Sequence, residues 1–282
     1  MALRPLRSVD LPAPVRRLND AWLADVERGL SGPDTGWPAL CRNALAGLWY
    51  PGRGGYDALA EAAAADPTQA VAVAALDPGN VTLEPEYYAE CNQPAFARIK
   101  PLLWLWYSFD RTPAGGQNVA LGVELRRLLA PRIFRRCGRN FKAFQHVEFS
   151  FGYNMEVGDD VVVHRHVLLD DRGGIVMGDR VSISDYANIY SHTHSIVDQR
   201  DVTNATTVLE DDVRITYHAT VLAGTRVARN GMVGAMALAT KDVKPYHVNV
   251  GIPAKSIRVK PNAPADSYST DRVSRRMPAP EE

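Results

Sequence analysis

The stretch that decides the fold runs from Leu209 to Lys244 and reads LEDDVR ITYHAT VLAGTR VARNGM VGAMAL ATKDVK. An aliphatic residue or alanine recurs every six positions, at Leu209, Ile215, Val221, Val227, Val233 and Ala239. Four positions after the first five of these stands a small or β-branched residue: Val213, Ala219, Thr225, Gly231 and Ala237. An amphipathic helix needs an apolar period near 3.6, which this stretch lacks. Six residues make one short strand plus a corner, and three such units close a triangular coil. The recurring aliphatic side chain then points inward, and the residue at the fourth offset fills the corner, where little space is left. One repeat cannot bury its own apolar face, but stacked coils bury a continuous column.

The same phase reaches upstream. Met177, Ile183 and Ile189 carry the inward position in MGDRVS ISDYAN IYSHTH, and Val157 and Val163 carry it in VGDDVV VHRHVL. The register breaks twice, by two residues near 170–174 and by two beyond whole repeats between Ser195 and Thr207. The second break reads as an extruded loop. Gly158-Asp159-Asp160 and Asp211-Asp212 fall at turns, where Gly and Asp accept unusual backbone angles. The repeat is expected over 152–259, inside a β domain spanning 131–260.

The first 130 residues carry a different pattern. Helical spacing is read at 18–30 and 38–48, an Ala-rich helix at 56–65, and a helix over 93–108 kinked or interrupted at Pro101. A further amphipathic helix within 117–134 is expected to stop before Pro131. An α-helical N-terminal region is expected over 1–130. The Pro-rich, charged tail at 261–282 reads as disordered. The fold class is therefore mainly β, a parallel β-helix of hexapeptide repeats with an α-helical N-terminal region. The apolar run PLLWLWY at 101–107 reads as core, with a lipid- or acyl-binding surface as the alternative.

Composition narrows the function. Thirty-two basic and 32 acidic side chains give a formal net charge of zero over 282 residues, which argues against a general nucleic-acid binder. The three cysteines, Cys41, Cys91 and Cys137, are scattered and odd in number, so neither a disulfide framework nor a CxxC metal motif is present. No secretory signal opens the chain and no apolar run is long enough to span a bilayer, so a cytoplasmic protein is expected.

Three segments carry a resemblance. GYNMEVGDDVVVHRHVLLDD at 152–171, THSIVD at 193–198 and ATKDVKPYHVNVGIPAKSIR at 239–258 are similar to the entry segment, the THPID signature and the terminal segment of the hexapeptide-repeat acyltransferases, nearest the maltose, galactoside and nodulation-type O-acetyltransferases. The resemblance covers about 125–260. It implies a left-handed coil, although β crossovers are otherwise right-handed. It also implies a homotrimer, with acetyl-CoA or another acyl-CoA as co-substrate lying between subunits, and no metal. His194 matches the histidine that deprotonates the acceptor hydroxyl, a task suited to an imidazole of unperturbed pKa about 6.5. Asp201, or Asp198 in the same loop, is the candidate carboxylate for its other ring nitrogen.

His164, His192, Ser150 and Asp171 are the candidate acceptor contacts. His164 stands where relatives place Asn and Ser150 where they often carry Asp, so the acceptor is not readable; Asp171 is also read as a turn former. At the CoA end, the resemblance implies phosphate contacts from Lys241, Lys255 and Arg258 and backbone contacts from Tyr217 and Ala235 to the pantetheine arm, although relatives prefer Gly at 217. The function expected is acyl-CoA-dependent O-acyl transfer, most simply O-acetyl, to a hydroxyl of a saccharide, glycolipid or polysaccharide precursor. The alternatives are another acceptor (amino sugar, serine, xenobiotic), a His-ligated metal lyase of the gamma-carbonic-anhydrase type suggested by the two HxH pairs, and a non-catalytic scaffold.

Overall fold

The computed structural model describes residues 10–198 and 200–265. Two compact units divide the chain, Met1–Ile133 and Phe134–Glu282. The tail expected at 261–282 lies outside the described residues beyond residue 265.

The first unit is helical: α1 (Ala13–Leu30), α2 (Trp37–Trp49), α3 (Tyr56–Ala63), α4 (Pro67–Ala74), α5 (Pro85–Glu90), α6 (Gln93–Phe109) and α7 (Val119–Ile133). Local chemistry sets the starts. The Asp66 carboxylate accepts from the N–H groups of Thr68 and Gln69, and Pro67 occupies the first turn of α4. Asn92 accepts from the Ala95 N–H at the start of α6.

The expected stop before Pro131 fails, and at Pro101 the helix is not interrupted. α6 runs through Pro101 and α7 runs through Pro131 to Ile133. An interior proline costs about 3 kcal/mol. Burial of Phe96, Ile99, Leu102, Leu103, Leu105, Trp106 and Phe109 on α6, at roughly 1.5–3 kcal/mol each, outweighs it. The same burial corrects the lipid-surface reading of 101–107: Leu102, Leu103, Leu105 and Trp106 are buried, and the Trp104 indole N–H donates to the Ala75 carbonyl at 3.0 Å. Among the described residues no helix is long and apolar enough to cross a membrane.

The second unit is a parallel β-helix with three sheets, one per side of the coil. It starts earlier than the repeat reading, with strands at Arg136–Cys137, Lys142–Ala143 and Glu148–Phe149. The inward column is dry: Val157, Val163, Leu169, Met177, Ile183, Ile189, Leu209, Ile215, Val221, Val227 and Val233 are each at most 1% exposed. Fourth-offset residues are small along most of the column, but the first coil puts Phe141 there. Phe141 is buried there and packs edge-on against Phe134 at 5.6 Å.

Two of the three corners repeat faithfully. After the first strand of each coil, Asn140, Asp160, Arg180, Asp212 and Asn230 adopt left-handed φ of 58–61°. Beside them an aspartate of each coil takes the backbone N–H of the coil before it, from Arg139 to Asp159, Asp159 to Asp179 and Asp179 to Asp211, at 2.7–3.0 Å. After the second strand, His146, His166, Tyr186, His218 and Met236 hold φ of 54–61°. The C-terminal strand Lys255–Val259 folds back antiparallel on His247–Val250 and ends the stack.

Candidate active site

The third corner is where the coil departs from its repeat. Glu148 pairs with Leu168 twenty positions on, and Leu168 with Asn188 after another twenty. Asn188 pairs with Thr220 only after thirty-two, whereas Thr220 reaches Leu238 in the eighteen of three bare hexapeptides. The extra residues fall at one corner of three successive coils, in segments 150–154, 170–174 and 191–206. The repeat reading found the second and third breaks. The first sits before its starting point, although Phe149 and Val157, both inward, already stand eight apart instead of six.

Residues outside the ladder need other partners for their backbone groups, and buried side chains supply them. Asp171, expected among the acceptor contacts, is fully buried and holds a turn instead, accepting from the N–H groups of Phe151 at 2.7 Å and Asn154 at 3.2 Å. Burial pushes its carboxyl up to about 6 against the pull of those N–H groups. The Ser191 hydroxyl donates to the Asp170 carbonyl at 2.5 Å and accepts from the Gly173 N–H at 2.8 Å. Gly173 admits no side chain here, because a Cβ would lie 2.2 Å from the Ser191 carbonyl oxygen and 2.6 Å from the Ala205 nitrogen.

The extruded loop is a β-hairpin. His192–His194 runs antiparallel to Val202–Asn204, with His192 opposite Asn204 and His194 opposite Val202. Its tip is tied locally: the Ser195 N–H donates to the Asp201 carbonyl at 2.9 Å, and the Ser195 hydroxyl accepts from the Val197 N–H at 3.1 Å. Of the two candidate carboxylates, Asp198 is held by Arg200 at 2.9 Å, which keeps it below the usual carboxylate range, and Asp201 enters the tip through its backbone. His192 and His194 share a face, as residues two apart on a strand do, and their rings stand edge to face, 5.3 Å apart at 87°.

A carboxylate does join this pair, and it is one the sequence reading passed over. Asp170 bonds the Nδ1 of His192 through Oδ2, accepts from the Ser150 hydroxyl at 2.7 Å through Oδ1, and has the buried Arg172 Nε 3.5 Å away. Ser150 is accordingly buried, with its hydroxyl committed to Asp170. So Ser150, His192 and His194 come together through Asp170. Strand alternation carries the missed signal: Leu169 points into the column, so Asp170 must point out of it, at the corner where the register breaks.

His164 lies at a different corner of its own coil. Its ring stacks on Phe144 at 4.9 Å, its Nδ1 is 3.9 Å from Asp185, and burial holds its pKa down against the pull of Asp185. Within the chain it does not meet His192. Among the described residues no three His, Cys, Asp or Glu side chains group as a metal ion would need.

No family model matches the chain. The galactoside O-acetyltransferase of Escherichia coli strain K12 is 26% identical over 140 residues, 48% of this chain and 69% of that relative. Among solved structures, a maltose O-acetyltransferase from Clostridium difficile 630 superposes with a TM-score of 0.52 at 23% identity, covering 63% of this chain and 89% of that one. A galactoside acetyltransferase in complex with coenzyme A gives 0.50 at 22% identity, covering 64% and 92%. In sequence and in fold the chain is similar to the hexapeptide-repeat acetyltransferases. Its coil matches the left-handed parallel β-helix of those solved structures and is preceded in the chain by a helical unit.

The positions that the family resemblance links to CoA lie on the last coils. Tyr217, Ala235, Lys241, Lys255 and Arg258 are all exposed. The Tyr217 carbonyl accepts from the Met236 N–H at 2.9 Å, so one coil-to-coil bond already engages that backbone. Lys255 opens the final antiparallel strand, opposite Val250.

Proposed function

We propose that the chain is an acyl-CoA-dependent O-acyltransferase, with acetyl-CoA as its simplest donor, acting on a hydroxyl of a saccharide, glycolipid or polysaccharide precursor. The observation that carries this reading is the hairpin strand His192–His194. It puts an exposed imidazole, His194, at the corner where the coil opens its repeat, beside His192, which is itself bonded to a buried carboxylate that also holds Ser150. The relatives named for galactoside and maltose acetyl transfer support the donor and the acceptor class.

In this mechanism neutral His194 takes the proton of the acceptor hydroxyl as the oxygen attacks the thioester carbonyl. Backbone N–H groups stabilise the oxyanion that forms. Its collapse breaks the C–S bond, and the departing CoA thiolate receives the proton from His194. The products are the ester and CoA thiol, and no acyl-enzyme is formed. Tyr217 and Ala235 offer backbone groups to the pantetheine arm, and Lys241, Lys255 and Arg258 offer cationic partners to the nucleotide phosphates. A groove with two walls calls for neighbouring copies, so the working form is a homotrimer.

The test is thiol release from acetyl-CoA across a panel of saccharide acceptors, alongside amino sugars, serine and chloramphenicol-like alcohols. Release that depends on a sugar hydroxyl supports the reading. Release only with an amine acceptor would replace O-transfer by N-transfer, and no acceptor-dependent release would overturn it. Light scattering of the active protein checks the trimer; full activity in a monomer contradicts it.

A further inference from the structure

The reaction proposed above uses His194 and leaves its neighbours without a task. Yet Asp170 is placed with unusual care. It is 2% exposed, and each insertion at the third corner contributes to its surroundings: Ser150 from the first, Arg172 from the second, His192 from the third. Its main-chain carbonyl is pinned as well, by the Ser191 hydroxyl.

The chemistry of this pairing decides a proton position. A carboxylate only accepts hydrogen bonds, so in its bond with Asp170 the Nδ1 of His192 must be the donor. A neutral imidazole has one N–H, which leaves Nε2 of His192 as an acceptor. Ser150 on the other carboxylate oxygen stops Asp170 from turning, so the plane of the His192 ring is fixed too. That ring then stands edge to face with His194, 5.3 Å between centroids. His194 is exposed on a hairpin strand, and a defined ring beside it restricts the orientations open to it.

We propose that Asp170 is a positioning residue of the acyl-transfer site, acting through His192 to set the orientation of His194. This rests on His194 being the base. A purely structural Asp170 would need only Ser150 and Arg172 as partners, and the state of His192 would then be irrelevant to turnover.

Two variants and two kinds of readout test this. Asp170→Asn keeps the shape but offers an amide that cannot hold the same tautomer with the same preference. It should lower kcat about 100-fold, within the range general-base effects reach, while KM for acetyl-CoA stays within twofold. In 15N-histidine spectra the native protein should show His192 as the Nδ1–H tautomer with cross-relaxation between the two rings, and both features should be lost in the variant. If Asp170→Asn does not fold, His192→Gln serves: the side chain is 14% exposed and the glutamine keeps an amide donor for Asp170. Native His192 found as the Nε2–H tautomer would overturn the proposal, as would native kcat in either folded variant. The spectra need no turnover, so they separate failure of the positioning from failure of the acyl-transfer reading itself, which would show as absent thiol release in the native protein.

Discussion

Two kinds of corner share one coil. At the first two corners each coil copies the last, and the copies support each other. Aspartates bind the N–H of the coil before, and the rings of His146, His166, Tyr186 and His218 stack at 4.6–4.9 Å. An inserted residue there would shift every later rung. At the third corner Asp171 takes the Phe151 N–H of the coil before it, but the bond is not repeated from coil to coil, and insertions of two, two and fourteen residues are absorbed. Lengthening a loop is entropically cheap, and what it gains is freedom from the repeat. Ser150, His192 and His194 stand in that freed chain, and Asp170 ends the strand that leads into it.

The largest expected effects come from one substitution in each region. His194→Ala, at an exposed position, should cut kcat by about 100- to 10,000-fold and leave the thermal midpoint and CoA affinity nearly unchanged. Leu209→Ala, at a wholly buried rung, should instead cost about 2–5 kcal/mol of stability, read by urea denaturation, with native kcat per folded molecule. If His194→Ala turned over normally, or if its main effect were on stability, the division of labour between corner and column would be wrong.

This division also explains what could be read from sequence. The column was legible because burial demands an aliphatic residue every six positions, and Ile183, Leu209 and Val221 answer that demand directly. The first coil was not, since Cys137, Ala143 and Phe149 are less uniform and Phe141 breaks the rule that a corner residue is small. His194 was legible only through its family signature. Asp170 was hidden for a physical reason: its role depends on coils twenty residues apart being stacked, which no local window displays. The neighbouring Asp171 is indistinguishable from it in sequence, yet binds backbone N–H groups.

Asp171 makes the irregular corner sensitive to pH. Its folded carboxyl titrates near 6, above the 3.8 of an ordinary aspartate, so the folded state favours the protonated form. Its contribution to stability is therefore fully present below about pH 4 and is lost as pH rises through 6, by about 3 kcal/mol in all. Asp159 and Asp211, held low by hydrogen bonds at the regular corner, act in the opposite sense. Comparing the native protein with Asp171→Asn cancels those common terms. The stability difference should move in favour of the variant between pH 4 and 7, and a difference independent of pH would show that Asp171 is ionised without cost.

The smallest effect probes the regular corners themselves. Met236 closes the His146 series at φ 60° and is 64% exposed. A left-handed backbone costs a side-chain-bearing residue about 1–2 kcal/mol, and glycine recovers this less about 0.5–1 kcal/mol of chain entropy. Met236→Gly should therefore stabilise by up to about 1 kcal/mol, a rise of a few degrees in the thermal midpoint. Tyr186 has nearly the same φ, 61°, but its ring lies between His166 and His218 at 4.8 and 4.9 Å. Each aromatic contact contributes about 0.5–1.5 kcal/mol, so Tyr186→Gly should gain nothing or lose. Equal gains at both positions would mean that the stacked rings contribute nothing to register, and the faithful repetition of that corner would then need a different cause.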